Sequence, residues 1–250
     1  MNTVLVTGAS AGFGEAICRK LIADGYKVIG AARREDKLKS LATELGDNFL
    51  PLQFDVTQKD AVDNILATLP IGFQQIDILI NNAGLALGIE PAYEADYTDW
   101  ETMVQTNIIG MMHLTRTILP GMVERNFGYI INLGSIAGTY PYRGGNVYGA
   151  TKAFVKQFSA NLRTDLFGKK IRVTNVEPGL CGGTEFSNVR FHGDNAKAND
   201  VYKNVQYITA EDIANTISWL VNTPPHMNVN SIEIMPIAQA PAGLNVSKEM

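Results

Sequence analysis

The sequence predicts an α/β fold: a doubly wound, seven-stranded parallel sheet with helices on both faces, built as a single domain over residues 1–250. Three observations lead there. Short β-branched runs alternate with longer segments of helical period along the chain, the rhythm of parallel strands joined by right-handed helical crossovers. The strand-like runs are nearly continuous in apolar residues, as expected of strands covered on both faces. No Pro/Gly/Ser-rich linker or charge run divides the 250 residues, a length that buries a core without metal or disulfide.

In chain order the strand-like runs are 3–7, 27–32, 48–54, 76–81, 129–133, 171–176 and 231–235. Helical period fills 13–24, 35–45, 58–69, 98–125, 147–167 and 210–221. Residues 180–208 are rich in Gly, Asn and charge with no sustained period, which predicts a functional loop such as a lid over a site. The tail 236–250 holds Pro236, Pro241 and Gly243 and is expected to run extended, docked on another surface.

Composition narrows the function. With 46% hydrophobic and 18% charged residues the chain is globular rather than disordered. A net charge of −4 leaves no basic footprint for nucleic acid. Cys18 and Cys181 lie far apart outside any CxxC pair, which favours incidental free thiols over a redox or metal role. Met1 leads directly into Val4-Leu5-Val6 without a basic start or long apolar core, and no stretch nears the ~20 apolar residues of a membrane span. A cytoplasmic protein with no membrane partner is therefore expected. Asn245-Val246-Ser247 fits a glycosylation pattern but is read as chance.

Thr7-Gly8-Ala9-Ser10-Ala11-Gly12-Phe13-Gly14 stands between the first strand and the first helix. Glycines permit a tight turn and close backbone approach, and the helix start offers free N–H groups to a pyrophosphate. The second strand ends in Ala31-Ala32-Arg33-Arg34, with no acid before Glu35. A carboxylate there would bond a ribose 2′-hydroxyl, whereas guanidiniums suit a 2′-phosphate. NADP(H) is the cofactor this end implies; a solvated charge cluster at a helix start is the alternative. Tyr148 and Lys152 are four apart in a helical segment, so they leave one face a turn apart. A phenol with a pKa of about 10 is a poor base near neutrality, and a nearby ammonium is expected to lower it. His113, His192 and His226 lack metal-ligand spacing, so no metal is expected.

Taken together, the turn at 7–14, Asn81-Asn82-Ala83-Gly84, Asn107, Ser135, Tyr148-x-x-x-Lys152 and Pro178-Gly179 make the chain resemble the short-chain dehydrogenase/reductase family over almost its full length. The resemblance implies a Rossmann fold, with Asp55-Val56 at the adenine, Asn82 to Gly84 at the adenosine ribose, and Pro178, Gly179, Leu180 through Thr184 beside the nicotinamide. It implies a catalytic set in which Tyr148 is the acid/base and Lys152 also bonds the nicotinamide ribose. In that set Ser135 orients the substrate oxygen and Asn107 holds a water linking Lys152 to solvent. It further implies a homotetramer, paired through the last strand and tail. Two departures stand out. Ala11 occupies a position that is basic in many NADP-dependent members, and Thr184 follows Pro-Gly one residue late because Gly182-Gly183 fills the gap.

The segments around Pro141-Tyr142, 144–152, 177–191 and Ala242-Gly243-Leu244-Asn245-Val246 resemble one branch of that family. Its members are the NADP-dependent 3-hydroxy acid dehydrogenases, which act on L-serine, L-allo-threonine and malonic semialdehyde or related 3-oxo acids. A carboxylate-bearing substrate needs a cation: Arg190 is the first candidate and Arg143 the second, with Glu185 set against a substrate ammonium. A general NADPH-dependent aldehyde/ketone reductase is the alternative. A non-catalytic dinucleotide-sensing protein is disfavoured, because a sensor needs only the cofactor half of the motif set.

Overall fold

The structure, a computed structural model, describes residues 2–241; positions 242–250, with the Ala242–Val246 motif and most of the expected tail, lie outside the described residues. Strand β1 (Thr3–Thr7) leads to helix α1 (Gly12–Ala23), then β2 (Lys27–Ala32), α2 (Glu35–Leu45), β3 (Phe49–Gln53), α3 (Lys59–Ala67) and β4 (Ile78–Asn81). The second half runs α4 (Tyr97–Val104), α5 (Met111–Arg125), β5 (Gly128–Leu133), α6 (Asn146–Asp165), β6 (Ile171–Pro178), α7 (Phe186–Arg190), α8 (Asn195–Asp200), α9 (Ala210–Asn222) and β7 (Ser231–Ile234). The seven strands form one sheet in the order β3-β2-β1-β4-β5-β6-β7, every neighbouring pair parallel.

Side chains of one strand point alternately to the two faces, and β1 uses both. Val4 and Val6 pack with Ile17, Leu21, Ile217 and Leu220 of α1 and α9 on one face. Leu5 packs with Leu114, Ile118, Met122 and Leu162 of α5 and α6 on the other. Two separate cores explain the unbroken apolar reading of the central strands. Edge strand β7 differs: Ser231 and Glu233 are exposed while Ile232 and Ile234 are half-buried.

Because β1 lies between β2 and β4, successive crossovers leave it in opposite directions and open a crevice at the carboxyl ends of β1 and β4.

Two expectations need correction. The stretch 98–125 is one continuous helical path, but Gln105–Gly110 is π-helical and separates α4 from α5. One wide turn here draws Asn107 inward, where its amide meets the Leu85 backbone. The segment 180–208 contains α7 and α8 rather than loop alone. The second is started by Asp194, which accepts from the N–H groups of Ala196 and Lys197.

Candidate active site

The crevice is a cleft of about 650 Å³, a size that suits a cofactor and a small substrate. Its floor is the glycine turn between β1 and α1. Gly8 has φ +70°, a conformation an L side chain strains to adopt, and a Cβ on Gly14 would sit 2.2 Å from the Gly8 carbonyl oxygen. The turn can therefore pass tightly under a ligand only with glycine at both positions. Ser10, Ala11, Gly12 and Phe13 line the cleft with Gly8. Ala9 and Gly14 do not line it: Ala9 is fully buried and its N–H donates to Ala31 O. Thr7 ties the turn to β4, its hydroxyl accepting from the N–H groups of Asn82 and Ala83 at 3.0 and 2.9 Å. Bare backbone, an open floor and the start of α1 fit a pyrophosphate.

At the end of β2, Arg33 and Arg34 both line the cleft. Arg33 is 72% exposed, with Asp55 at 3.9 Å. Arg34 donates from Nε to Ser10 Oγ and from Nη2 to Ser10 O, each at 3.2 Å. Asp55 and Val56, Asn82 to Gly84, Pro178 to Leu180, and Thr184 also line the cleft. The residues present fit an NADP-type dinucleotide from end to end.

Beyond Leu133 the chain turns sharply at Ser135, whose hydroxyl accepts from Ala137 N–H at 3.1 Å. Tyr148 and Lys152, on α6, are both buried, with Lys152 Nζ 5.8 Å from the centroid of the Tyr148 ring. Nζ donates to Leu133 O at 2.7 Å. Desolvation pushes Lys152 down to about 8. Burial also raises Tyr148 above the ordinary phenol range, with the Ser135 hydroxyl and the Arg190 guanidinium pulling the other way. So the expectation that Lys152 draws the phenol down is opposed here by the cost of burying a phenolate. Asn107 lies behind the cleft, donating from Nδ2 to Leu85 O and Thr151 Oγ1 and accepting from Leu85 N–H. Its Oδ1 sits 3.2 Å from where a Gly84 Cβ would be, with Lys152 Nζ at 3.5 Å from the same point.

The segment expected to act as a lid covers this end. The Phe186 ring packs edge-on to Tyr148 at 6.0 Å. Arg190 lies 5.9 Å from the Tyr148 ring and donates to Tyr142 Oη at 2.9 Å and to Gly88 O at 3.2 Å. Two substrate candidates sit elsewhere. Arg143 is exposed and does not line the cleft, because the turn before α6 aims it outward. Glu185 lines the cleft but pairs with Arg34 at 2.8 Å, beside Thr184, which rests on Gly12. Sequence reasoning missed that pair and the Leu133 carbonyl. The first depends on the path of a loop, the second on a backbone atom that carries no side-chain signal. Among the described residues no cluster of His, Cys, Asp and Glu could hold a metal ion, and no helix is long and apolar enough to cross a membrane.

A glycine turn opening a parallel-sheet crevice, with Ser, Tyr and Lys converging at its other end, defines a class of nucleotide-dependent oxidoreductase. The profile of the short chain dehydrogenase family matches residues 2–195, and the chain belongs to that family. More narrowly, it is 64% identical over 248 residues to a probable NADP-dependent dehydrogenase of Haemophilus influenzae, across 99% of this chain and 98% of that one. It is 57% identical over 246 residues to the NADP-dependent 3-hydroxy acid dehydrogenase YdfG of Escherichia coli K12, across 98% and 99% of the two chains. The closed form of serine dehydrogenase complexed with NADP+ superposes with a TM-score of 0.98 at 57% identity, covering 99% of this chain and 100% of that one.

Proposed function

We propose that this chain is an NADP-dependent oxidoreductase moving a hydride between nicotinamide and small 3-hydroxy acids, of the L-serine, L-allo-threonine and 3-hydroxypropionate/malonic semialdehyde type. The observation that carries the reading is the distribution of cations along one cleft. Arg33 and Arg34 stand at the end of β2, Lys152 and Arg190 around Tyr148. The first pair suits a 2′-phosphate; Arg190 suits a substrate carboxylate beside the reacting carbon. The names of the relatives, an NADP-dependent 3-hydroxy acid dehydrogenase and a serine dehydrogenase complexed with NADP+, point the same way.

Bound NADP(H) supplies or accepts the hydride. Tyr148, a buried neutral phenol, donates its proton to the carbonyl oxygen during reduction and takes the hydroxyl proton during oxidation. Ser135, fixed by Ala137 N–H, holds that oxygen and stabilises the negative charge that develops on it. Lys152, anchored on Leu133 O, supplies the positive field that helps the phenol part with its proton. Asn107 braces the Gly84–Leu85 backbone beside the ammonium. Among the residues lining the cleft the acids are Asp55 and Glu185, the first near Arg33 and the second paired with Arg34.

The test is an NADP+ assay with L-serine, L-allo-threonine, 3-hydroxypropionate and a plain secondary alcohol. The acids should lead the alcohol by roughly tenfold or more in kcat/KM; equal values would return the chain to a general aldehyde/ketone reductase. A cytoplasmic homotetramer completes the proposal on family grounds. Light scattering should give four times the chain mass, and a monomer or dimer would refute that part.

A further inference from the structure

The lid is tied down at several points, and the proposed chemistry leaves Thr184 and Glu185 among them unused. Thr184 rests on the glycine turn, its Cβ and Cγ2 each 3.2 Å from where a Gly12 Cβ would stand. Glu185 Oε2 meets Arg34 Nη1 at 2.8 Å. Five residues on, Arg190 reaches the Tyr148 ring, and His192 Nε2 meets Asp99 Oδ2 at 3.0 Å. The strap from Thr184 to Arg190 thus runs from the pyrophosphate turn to the reacting end of the cleft.

Arg34 is the unusual member. A guanidinium has five N–H donors. Three are accounted for: Nε–H on Ser10 Oγ, one Nη2–H on Ser10 O and one Nη1–H toward Glu185. Two remain, on a side chain that lines the cleft. Ser10 fixes the plane of the group, so an anion taking the remaining donors and the lid carboxylate can be held at once. The closed form of serine dehydrogenase complexed with NADP+ shares this fold over 99% of the chain with a TM-score of 0.98, so this arrangement is compatible with a bound dinucleotide.

Resting on the NADP reading above, we propose that Arg34 is shared between the cofactor 2′-phosphate and the lid. Glu185 is then a positioning residue that latches the lid shut over bound cofactor, rather than a substrate contact or a competitor for the phosphate site. Phosphate binding stiffens Arg34, and the stiffened Arg34 presents a fixed target to Glu185. Preference for NADP is expressed in lid closure as well as in affinity.

Stopped-flow displacement of NADPH measures the latch directly. Partly exposed ion pairs are weak, so Glu185→Gln should release NADPH about threefold faster, and Glu185→Asp should recover part of the loss. The Arg34→Ala enzyme should release it faster still, and Arg34→Ala/Glu185→Gln no faster than Arg34→Ala alone. Raising salt should narrow the gap between wild type and Glu185→Gln. In the protein without cofactor, Glu185→Gln should speed tryptic cleavage at Arg190, Lys197 and Lys203. Unchanged or slower NADPH release in Glu185→Gln, or additive effects in the double variant, would overturn the latch. Wild-type protein that binds NADH as tightly as NADPH would sink the cofactor reading instead, and the proteolysis comparison would still decide whether Glu185 holds the lid.

Discussion

Lys152 sits in an environment that works against its charge. It is buried, has Leu133 O as its partner, and burial brings it down to about 8. Tyr148 beside it is pushed the opposite way, so both groups favour their neutral forms more than they would in water. Reduction, which consumes a phenol proton, should hold steady at low pH and weaken above about pH 8 as Lys152 discharges. Oxidation needs that phenol to lose its proton, so its kcat/KM should climb with pH up to about 8 and flatten above it as Lys152 discharges. Rate profiles in the two directions with parallel slopes would contradict this assignment. Replacing Tyr148 with Phe should cut kcat by about 10³ while NADPH still binds, as fluorescence titration would report. The convergence of Ser135, Tyr148 and Lys152 on one cleft was legible in the sequence because each sits at a fixed step from a strand end or a helix turn. The exposed position of Arg143 and the pairing of Glu185 with Arg34 were not legible, because nearness along the chain does not say which way a loop turns its side chains.

Among the elements, the end of β2 and the segment proposed as a lid are where specificity is tested. Arg33→Asp with Arg34→Ile removes two charge-assisted contacts, and the ratio of NADPH to NADH efficiency should invert, by roughly 10² overall. An unchanged ratio in steady-state assays would remove these arginines from cofactor choice. Arg190→Ala should raise KM for 3-hydroxypropionate about tenfold or more, with little effect on an uncharged alcohol. A similar rise for both would mean that Arg190 shapes the lid instead of binding the acid. The helices and strands at these places could be read from period alone, and α2 matches its expected bounds residue for residue. The π-helical turn could not. Gln105–Gly110 has ordinary helical period, and its geometry answers to a hydrogen bond with Leu85, distant in sequence.

For the molecule as a whole, the buried ammonium has a stability consequence with a definite sign. Lys152 titrates near 8 when folded and near 10.4 when unfolded. Between those values the unfolded chain binds more protons, so folding stability rises with pH; below about 8 the burial penalty is present in full. Lys152→Met should therefore stabilise the cofactor-free protein at pH 7 by ~2 kcal/mol, after allowing for the bond lost at Leu133. That is a gain of about 4–8 °C in Tm, together with a flatter pH dependence and an inactive enzyme. Calorimetry at pH 7 and pH 9.5 tests both parts; a variant less stable at each pH would show that Nζ is a net support. The parallel, doubly wound sheet was implied by the alternation of elements and the handedness of crossovers. The seating of the lid was not, since it rests on contacts such as Thr184 on Gly12 that join distant parts of the chain.

The wide turn at Gln105–Gly110 holds more residues than an α-helix needs to cover the same path. Shortening it therefore need not disturb the angular phase of α4 and α5, whose buried residues Met103 and Met111 would keep their faces. A chain lacking Ile108 should fold with undiminished helical signal, yet Asn107 would rotate by about 100° and lose Leu85. A deletion of this kind would leave a well-formed protein with a silent site, setting the economy of a regular helix directly against the reach of one side chain.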